Sequence, residues 1–370
     1  MKQVIIIGGG ICGLLTAIQL VRKEISCVVI EKRKYPFHRV CGEYISNETK
    51  PFLQKLNLYP TQFDPPEISR FQLSSIAGKS KTLPLDLGGF GISRFTYDNF
   101  LYESALRAGV EFIIEEEAQQ IRFHGSHFSI TTNKREIAGL IVIGCHGKRS
   151  KVDVQLGRAF ISKRSPYVGI KHHVRIDHPG DLIALHNFPG GYCGISNVED
   201  QKTNLCYLTH RDNLRRYRNI QEMEVAILGK NPLLKSIFER AEFIFDRPET
   251  INEISFETKS PVEQHVLMGG DAAGMITPLC GNGMSIAVHT SKILSDILCD
   301  ELRRQEWSRA TIEGRYTQAW NSFFSRRLWF GRQVQRLFGN EMASNLAVGF
   351  ALKIRPLANA IIRNTHGQPF

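Results

Sequence analysis

The residues with the clearest chemical purpose stand near the start of the chain, in the run Gly8-Gly9-Gly10-Ile11-Cys12-Gly13. The G-x-G-x-x-G spacing of Gly8, Gly10 and Gly13 suits a tight turn, close approach of a pyrophosphate to backbone, and helix-on-strand packing, in that order. Glu31 follows Gly10 by 21 residues, the place from which a carboxylate accepts hydrogen bonds from ribose hydroxyls. The elements needed to position these groups are present. Residues 3–7 read as a buried strand, 12–23 as a helix with apolar residues at helical spacing, and 27–30 as a second strand ending in Glu31. The helix N-terminus would offer unpaired N–H groups and a positive dipole end to phosphate.

A second chemical segment lies far downstream. An apolar strand at 262–268 runs into Gly269-Gly270-Asp271-Ala272-Ala273-Gly274, then through Pro278 to Gly281-Asn282-Gly283, and a helix is expected over 283–303. A fold that binds only a nicotinamide nucleotide has no use for this second device. Asp271 is of the type that bonds ribityl hydroxyls. The Gly281–Gly283 loop brings backbone N–H groups to a flavin's pyrimidine edge, and the following helix points its positive end there. The two segments together point to FAD.

The segment from Gly270-Asp271 through Pro278 to Gly283 resembles the FAD motif of the p-hydroxybenzoate hydroxylase superfamily. Other segments are closer to its geranylgeranyl reductase branch: Arg39-Val40-Cys41-Gly42-Glu43, and the strands around Phe188–Gly194 and Asn204–Tyr207. Ile92–Leu101 resembles the stretch in which the superfamily places an arginine, here Arg94, near the cofactor at the head of a helix expected over 98–108. The resemblance spans residues 1 to about 300. It implies that Gly8, Gly10, Gly13, Glu31, Lys32, Arg39, Arg94, Asp271, Pro278, Gly281, Asn282 and Gly283 bind cofactor, and that Cys41 and Glu43 are catalytic candidates. Tyr192 and His186 are expected in the substrate pocket. His172 and His173 are consecutive on a strand and so face opposite ways. Two departures stand out. His146 occupies the place of an aspartate that the hydroxylase branch uses with FAD and NAD(P)H. The Trp-x-Trp-x-Ile-Pro stretch of flavin halogenases does not occur, the tryptophans being at 307, 320 and 329.

Composition is that of a folded chain, with 42% hydrophobic and 22% charged residues in 370. No apolar run approaches the roughly 20 residues of a membrane span, and the opening MKQVIIIGGG reads as the first strand rather than an export signal. Eight scattered cysteines form no CxxC pair and no zinc spacing, which fits a reducing cytoplasm and no metal. The net charge is +11, and residues 301–370 hold eleven Lys or Arg against four Glu. That basic end, with its aromatic residues over 306–362, suits either a membrane surface or packing on the body. No nucleic-acid partner is expected, and the sequence leaves the oligomeric state open.

The expected fold is α/β: a Rossmann-like FAD-binding domain assembled from 1–60, 93–155 and 255–305. An antiparallel-sheet substrate lobe would come from 61–92 and 156–254, and two or three helices from 306–370. Three activities fit. The first is saturation of C=C bonds in an isoprenoid or other lipid-like chain. The second is hydroxylation of an aromatic or polyketide-like substrate using NAD(P)H and oxygen. The third is flavin redox or electron transfer without an organic product. In each, NAD(P)H binds only transiently or another electron donor replaces it, since no second nucleotide motif is present.

Overall fold

The protein is described by a computed structural model covering residues 2–277, 281–338, 349 and 367–370. The chain begins β1 (Lys2–Ile7), α1 (Ile11–Val21), β2 (Cys27–Glu31), β3 (Tyr44–Ser46), α2 (Lys50–Lys55), β4 (Glu67–Ser74), β5 (Ser80–Gly91) and α3 (Arg94–Arg107). Four strands follow, β6 (Glu111–Ile114), β7 (Ala118–Phe123), β8 (Phe128–Thr132) and β9 (Glu136–Gly144), then the short α4 (Lys151–Gln155). Next come β10 (Tyr167–Arg175), β11 (Leu182–Phe188), β12 (Gly191–Asn197) and β13 (Thr203–His210). Three helices, α5 (Arg211–Arg215), α6 (Ile220–Ile227) and α7 (Pro232–Arg240), precede the short strands β14 (Glu242–Phe243), β15 (Glu249–Asn252), β16 (Val262–Glu263) and β17 (Val266–Met268). Two long helices close the described chain, α8 (Gly283–Leu302) and α9 (Arg309–Phe338).

Among the described residues the strands form two sheets. The first has the order β16-β17-β9-β1-β2-β6, with β8 and β7 continuing from β9. Its centre is parallel: Val4 pairs with both Cys27 and Ile141. The run Val4–Ile7 is fully covered because helices flank the sheet, as parallel strands require. Residues Ile11 to Leu20 of α1 are all buried. Gly13 permits this seating, since a Cβ there would lie 2.1 Å from the Gly8 carbonyl oxygen.

The second sheet has the order β14-β10-β13-β12-β11-β4-β5-β3, with β15 on β10. Strand β3 comes from the first sixty residues yet pairs with β5 in this sheet, Ile45 opposite Phe90. The sheet's two faces differ. Val168, Ile170, Phe188, Ile195 and Tyr207 pack with Met223, Ile227 and Leu234 of the 220–240 helices. The other face carries Leu185, Tyr192 and Leu208 toward Ile254 and Met275.

Two expectations change in the structure. The helix expected from 98 begins at Arg94, because the Ser93 side chain caps it by accepting from the Thr96 N–H. The apolar run 262–268 is a hairpin of two short strands, Val262 opposite Leu267. Within the tail, residues 309–338 form one continuous helix, and the further helices expected there fall outside the described residues. Its buried stripe Ile312, Tyr316, Trp320, Phe324 and Leu328 joins the main core at i, i+4 spacing, and Tyr316 donates to the Met268 carbonyl. Phe323 and Trp329, on other faces, are 49% and 56% exposed. Among the described residues no helix is long and apolar enough to cross a membrane.

Candidate functional site

A cavity of about 510 Å³ lies between the two sheets, and the sequence-distant candidates meet in its wall. Gly10, Glu31, Lys32, Arg39, Cys41, Glu43, Arg94, Tyr192, Asp271, Gly281, Asn282 and Gly283 all line it. Pro278 lies outside the described residues. His186 is a correction. It is absent from the lining because the alternation that turns Leu185 into the cavity turns His186 to the opposite face. There its Nδ1 lies 2.8 Å from Ser74 Oγ, and burial pushes its pKa down to about 4.

The glycine loop and its charged neighbours form one part of the cavity wall. Gly10 is the N-cap of α1 and is open to the cavity: a Cβ on it would meet only Arg94 Nη2, at 3.4 Å. The Glu31 carboxylate accepts the Gly9 N–H at 2.9 Å and the Arg33 N–H at 3.0 Å, and pairs with Arg39 at 3.3 Å. Asp98, 2% exposed at its side chain, receives both Arg94 Nε and Nη2 at 2.7 Å and stands 3.2 Å from Arg39 Nε. Burial opposes charge on Arg94, but this fork outweighs it and raises the guanidinium pKa. Two cations therefore remain beside the glycine loop.

The middle of the cavity is framed by the Gly269–Gly274 turn and the start of α8. Gly281 has φ +63°, a left-handed conformation that favours glycine, and the α8 N-terminus begins two residues later. Lys259 Nζ donates to the carbonyls of Asp271 and Lys148, both at 2.8 Å, and so fixes the turn. Burial pushes Lys259 and Lys148 down to about 8 against the pull of Asp271. His146 Nε2 lies 3.1 Å from the Asp153 carboxylate, which also receives Arg158 at 2.8 Å. Burial alone would raise the Asp153 pKa, but these partners hold it at about 2. His146 is thus half of a His–Asp pair at the cavity wall, and Asp153 comes from α4. Among the described residues no cluster of three His, Cys, Asp or Glu is placed to hold a metal.

The Cys41-Gly42-Glu43 turn forms one flank. Glu43 sits at φ +55° and is wholly buried. Its Oε1 accepts Lys171 Nζ at 2.5 Å and the Arg94 N–H at 2.9 Å, and its Oε2 lies 2.5 Å from His173 Nε2. Burial would raise the Glu43 pKa, yet Lys171 and His173 hold it at about 2. Cys41 is the reverse case. Burial raises its pKa and keeps the thiol protonated, although Arg94 and the Glu43 N–H are placed to favour a thiolate. Lys171 and His173 were not among the candidates read from sequence. They sit two apart on β10 and so share a face, while His172 faces the other way and bonds Glu224 at 2.7 Å.

The second sheet gives the cavity an apolar wall. Phe71 and Leu73 of β4, Leu85 of β5, Ile183 and Leu185 of β11, and Leu208 of β13 line it. The Tyr192 hydroxyl donates to Gln335 of α9 at 3.3 Å, tying the last helix to this wall.

Comparison with known proteins agrees with this architecture. Residues 6–52 match the NAD(P)-binding Rossmann-like domain. Digeranylgeranylglycerophospholipid reductase 2 of Methanopyrus kandleri is 22% identical over 360 residues, covering 92% of this chain and 87% of its own. The solved geranylgeranyl bacteriochlorophyll reductase-like protein of Thermoplasma acidophilum superposes with TM-score 0.75 at 15% identity, over 95% of this chain and 91% of that one. A variant of the halogenase PltM in complex with FAD superposes with TM-score 0.72 at 17% identity, over 92% and 77%. These likenesses show the fold, a Rossmann-like architecture that the chain shares with a geranylgeranyl reductase-like protein and a halogenase.

Proposed function

We propose that the chain is an FAD-dependent oxidoreductase that saturates carbon–carbon double bonds in an isoprenoid lipid chain. The observation that carries this reading is the continuity of one cavity, from the glycine loop and its two cations to a wall of Phe71, Leu73, Leu85, Ile183, Leu185 and Leu208. A compact polar chamber would suit a small aromatic substrate. An apolar wall suits a long hydrocarbon, whose burial contributes about 0.8 kcal/mol per CH₂. The Methanopyrus relative, named for reduction of a geranylgeranyl lipid, supports the same substrate class.

The residues present fit FAD. The α1 N-terminus at Gly10, with Arg94 and Arg39, would hold the pyrophosphate, and Glu31 the adenosine ribose. Asp271 and the Gly281–Gly283 loop would hold the ribityl and ring portion. When bound, FAD supplies the hydride chemistry. The protein supplies orientation, exclusion of water and a proton. Cys41 holds that proton on Sγ at the cavity wall, and Arg94 with the Glu43 N–H steadies the thiolate left after donation. The apolar wall places a double bond beside Cys41 and keeps bulk water away. The electron donor, NAD(P)H or another carrier, binds transiently. Phe323 and Trp329, exposed on the basic tail, make peripheral contact with a membrane that presents the lipid.

Incubation of the FAD-loaded protein with reductant and digeranylgeranylglycerophospholipid, under nitrogen and under ¹⁸O₂, tests the reading. The expected product gains two hydrogens per double bond under nitrogen and carries no ¹⁸O. A product formed only with oxygen and containing ¹⁸O would make the protein a monooxygenase instead.

A further inference from the structure

Saturation of a double bond consumes a proton as well as a hydride, so the group that donates the proton must be recharged from solvent each turnover. The main cavity is apolar at its substrate end. A second cavity, of about 290 Å³, lies against it and is lined by His38, Lys171, His173, Phe245, Arg247 and Glu249. His38 lines both cavities, and Glu43 lines the main one. Between them runs a short hydrogen-bonded chain. His173 reaches Glu43 Oε2 at 2.5 Å, and Glu43 is also the residue two after Cys41. His173 and Lys171 are 3% and 2% exposed and Glu43 is wholly buried, so this polar chain passes through an otherwise closed wall.

We propose that the second cavity is a proton inlet and that His173 and Glu43 relay protons from it to Cys41. The inference rests on the saturation reading. In the relay, hydronium or a buffer acid in the second cavity protonates His173. The His173 Nε2–H bond then breaks as a Glu43 Oε2–H bond forms, and Glu43 passes the proton to the Cys41 thiolate. No electrons move, and the thiol is regenerated. Lys171, held by Glu43 at 2.5 Å and by the Arg39 carbonyl at 3.1 Å, is the fixed counter-charge. Lys171 keeps Glu43 ionised at rest, so Glu43 carries the proton only in passing, when a base on the cavity side draws it.

The charged and titratable groups around the dyad come from several elements: Lys171 on its own strand, His38 and Cys41 from the 38–43 loop, Arg94 at the head of α3, and Arg247 with Glu249 across the second cavity. His38, whose buried Nδ1 has no hydrogen-bond partner, packs its ring edge-on to His173 with centroids 5.6 Å apart. Burial, then Lys171 and His173, lower the His38 pKa.

The test uses FAD-loaded full-length protein, digeranylgeranylglycerophospholipid and anaerobic turnover. Glu43→Gln and His173→Ala should each lower kcat by about a hundredfold, the lower end of general acid–base effects, with FAD content and KM retained. Both should alter the pH profile and the solvent isotope effect. Added imidazole, which the second cavity can admit, should restore much of the His173→Ala rate and none of the Glu43→Gln rate. Should either variant fail to hold FAD, His173→Gln, which keeps a donor toward Oε2, carries the comparison. FAD-loaded variants with wild-type kcat, pH profile and isotope effect overturn the inlet while leaving the saturation reading intact. A wild type that saturates no double bond overturns the saturation reading and the inlet with it.

Discussion

Asp98 grips Arg94 through two parallel hydrogen bonds of 2.7 Å, from Nε and Nη2, one turn apart on the same helix. The same carboxylate stands 3.2 Å from Arg39, so a single buried anion orients both cations that face the glycine loop.

Asp98→Asn should therefore act on stability and cofactor binding together. Removing one partner of a buried ion pair costs about 3–5 kcal/mol, because the other charge is left uncompensated. Arg39 is 31% exposed and can turn to water, so the lower figure applies. Denaturant unfolding of the FAD-free protein should show a loss of about 3 kcal/mol, and titration with FAD a weaker dissociation constant.

Two glycines of the first motif should separate packing from binding. A Cβ on Gly13 would meet the Gly8 carbonyl at 2.1 Å, so Gly13→Ala should lose stability by about 1–3 kcal/mol or more, as overpacking does. Gly10→Ala meets only a side-chain nitrogen at 3.4 Å. It should melt like wild type, yet bind FAD about tenfold or more weakly, because the methyl group occupies the surface that the pyrophosphate would approach. Thermal melts and fluorescence titration of FAD distinguish the two.

That contrast also marks what the sequence made legible. The order strand, glycines, helix, strand and acid is local, each part being read from spacing within about thirty residues, and Gly8 to Glu31 fold as that spacing implies. Asp271 and Gly283 were legible for the same reason. The partners of Glu43 were not: Lys171 and His173 lie 128 and 130 residues away, and no period in the chain records a contact that long. His186 shows a different limit. Alternation on β11 specifies that neighbours face opposite ways, but only the packing of the 220–240 helices decides which face is roofed and which lines the cavity. The aromatic tail was ambiguous because Trp, Phe and Arg suit both a core and an interface, and α9 buries Trp320 and Phe324 while leaving Phe323 and Trp329 exposed.

The α9 aromatics should accordingly behave in two classes. Trp320 is 2% exposed and central to the main core, so Trp320→Ala should cost about 3–5 kcal/mol. Trp329 is 56% exposed, and Trp329→Ala should change stability by no more than about 0.5 kcal/mol. The second variant, not the first, should keep its melting temperature while losing co-sedimentation with anionic liposomes at low salt. Retained sedimentation would remove Trp329 from any membrane contact.

Acid stability should fall in two stages. Burial lowers the folded-state pKa of His186 from 6.5 to about 4. The folded state thus binds fewer protons than the unfolded chain, and the stability it contributes, complete above 6.5, is lost as pH falls toward 4. Glu43 and Asp153 are lowered from 4.5 and 3.8 to about 2. Their contribution is present above the ordinary carboxylate values and is lost as pH falls through that lower window. His289, lowered to about 4 by burial, adds to the same loss, so denaturant unfolding at stepped pH should show the first loss in wild type and a smaller one in His186→Gln. An unchanged slope between pH 6.5 and 4 in that variant would assign the loss elsewhere.

The central claim, reduction of an isoprenoid double bond by the cofactor held in this cavity, is tested most directly by a single-turnover experiment without oxygen. Protein loaded with FAD, reduced stoichiometrically and freed of excess reductant, is mixed with digeranylgeranylglycerophospholipid while the oxidised-flavin absorbance band is followed. The band is expected to return on mixing, with one double bond lost per flavin reoxidised and the rate reduced in Cys41→Ala. A band that stays absent until oxygen is admitted, with the lipid recovered unchanged, would contradict it.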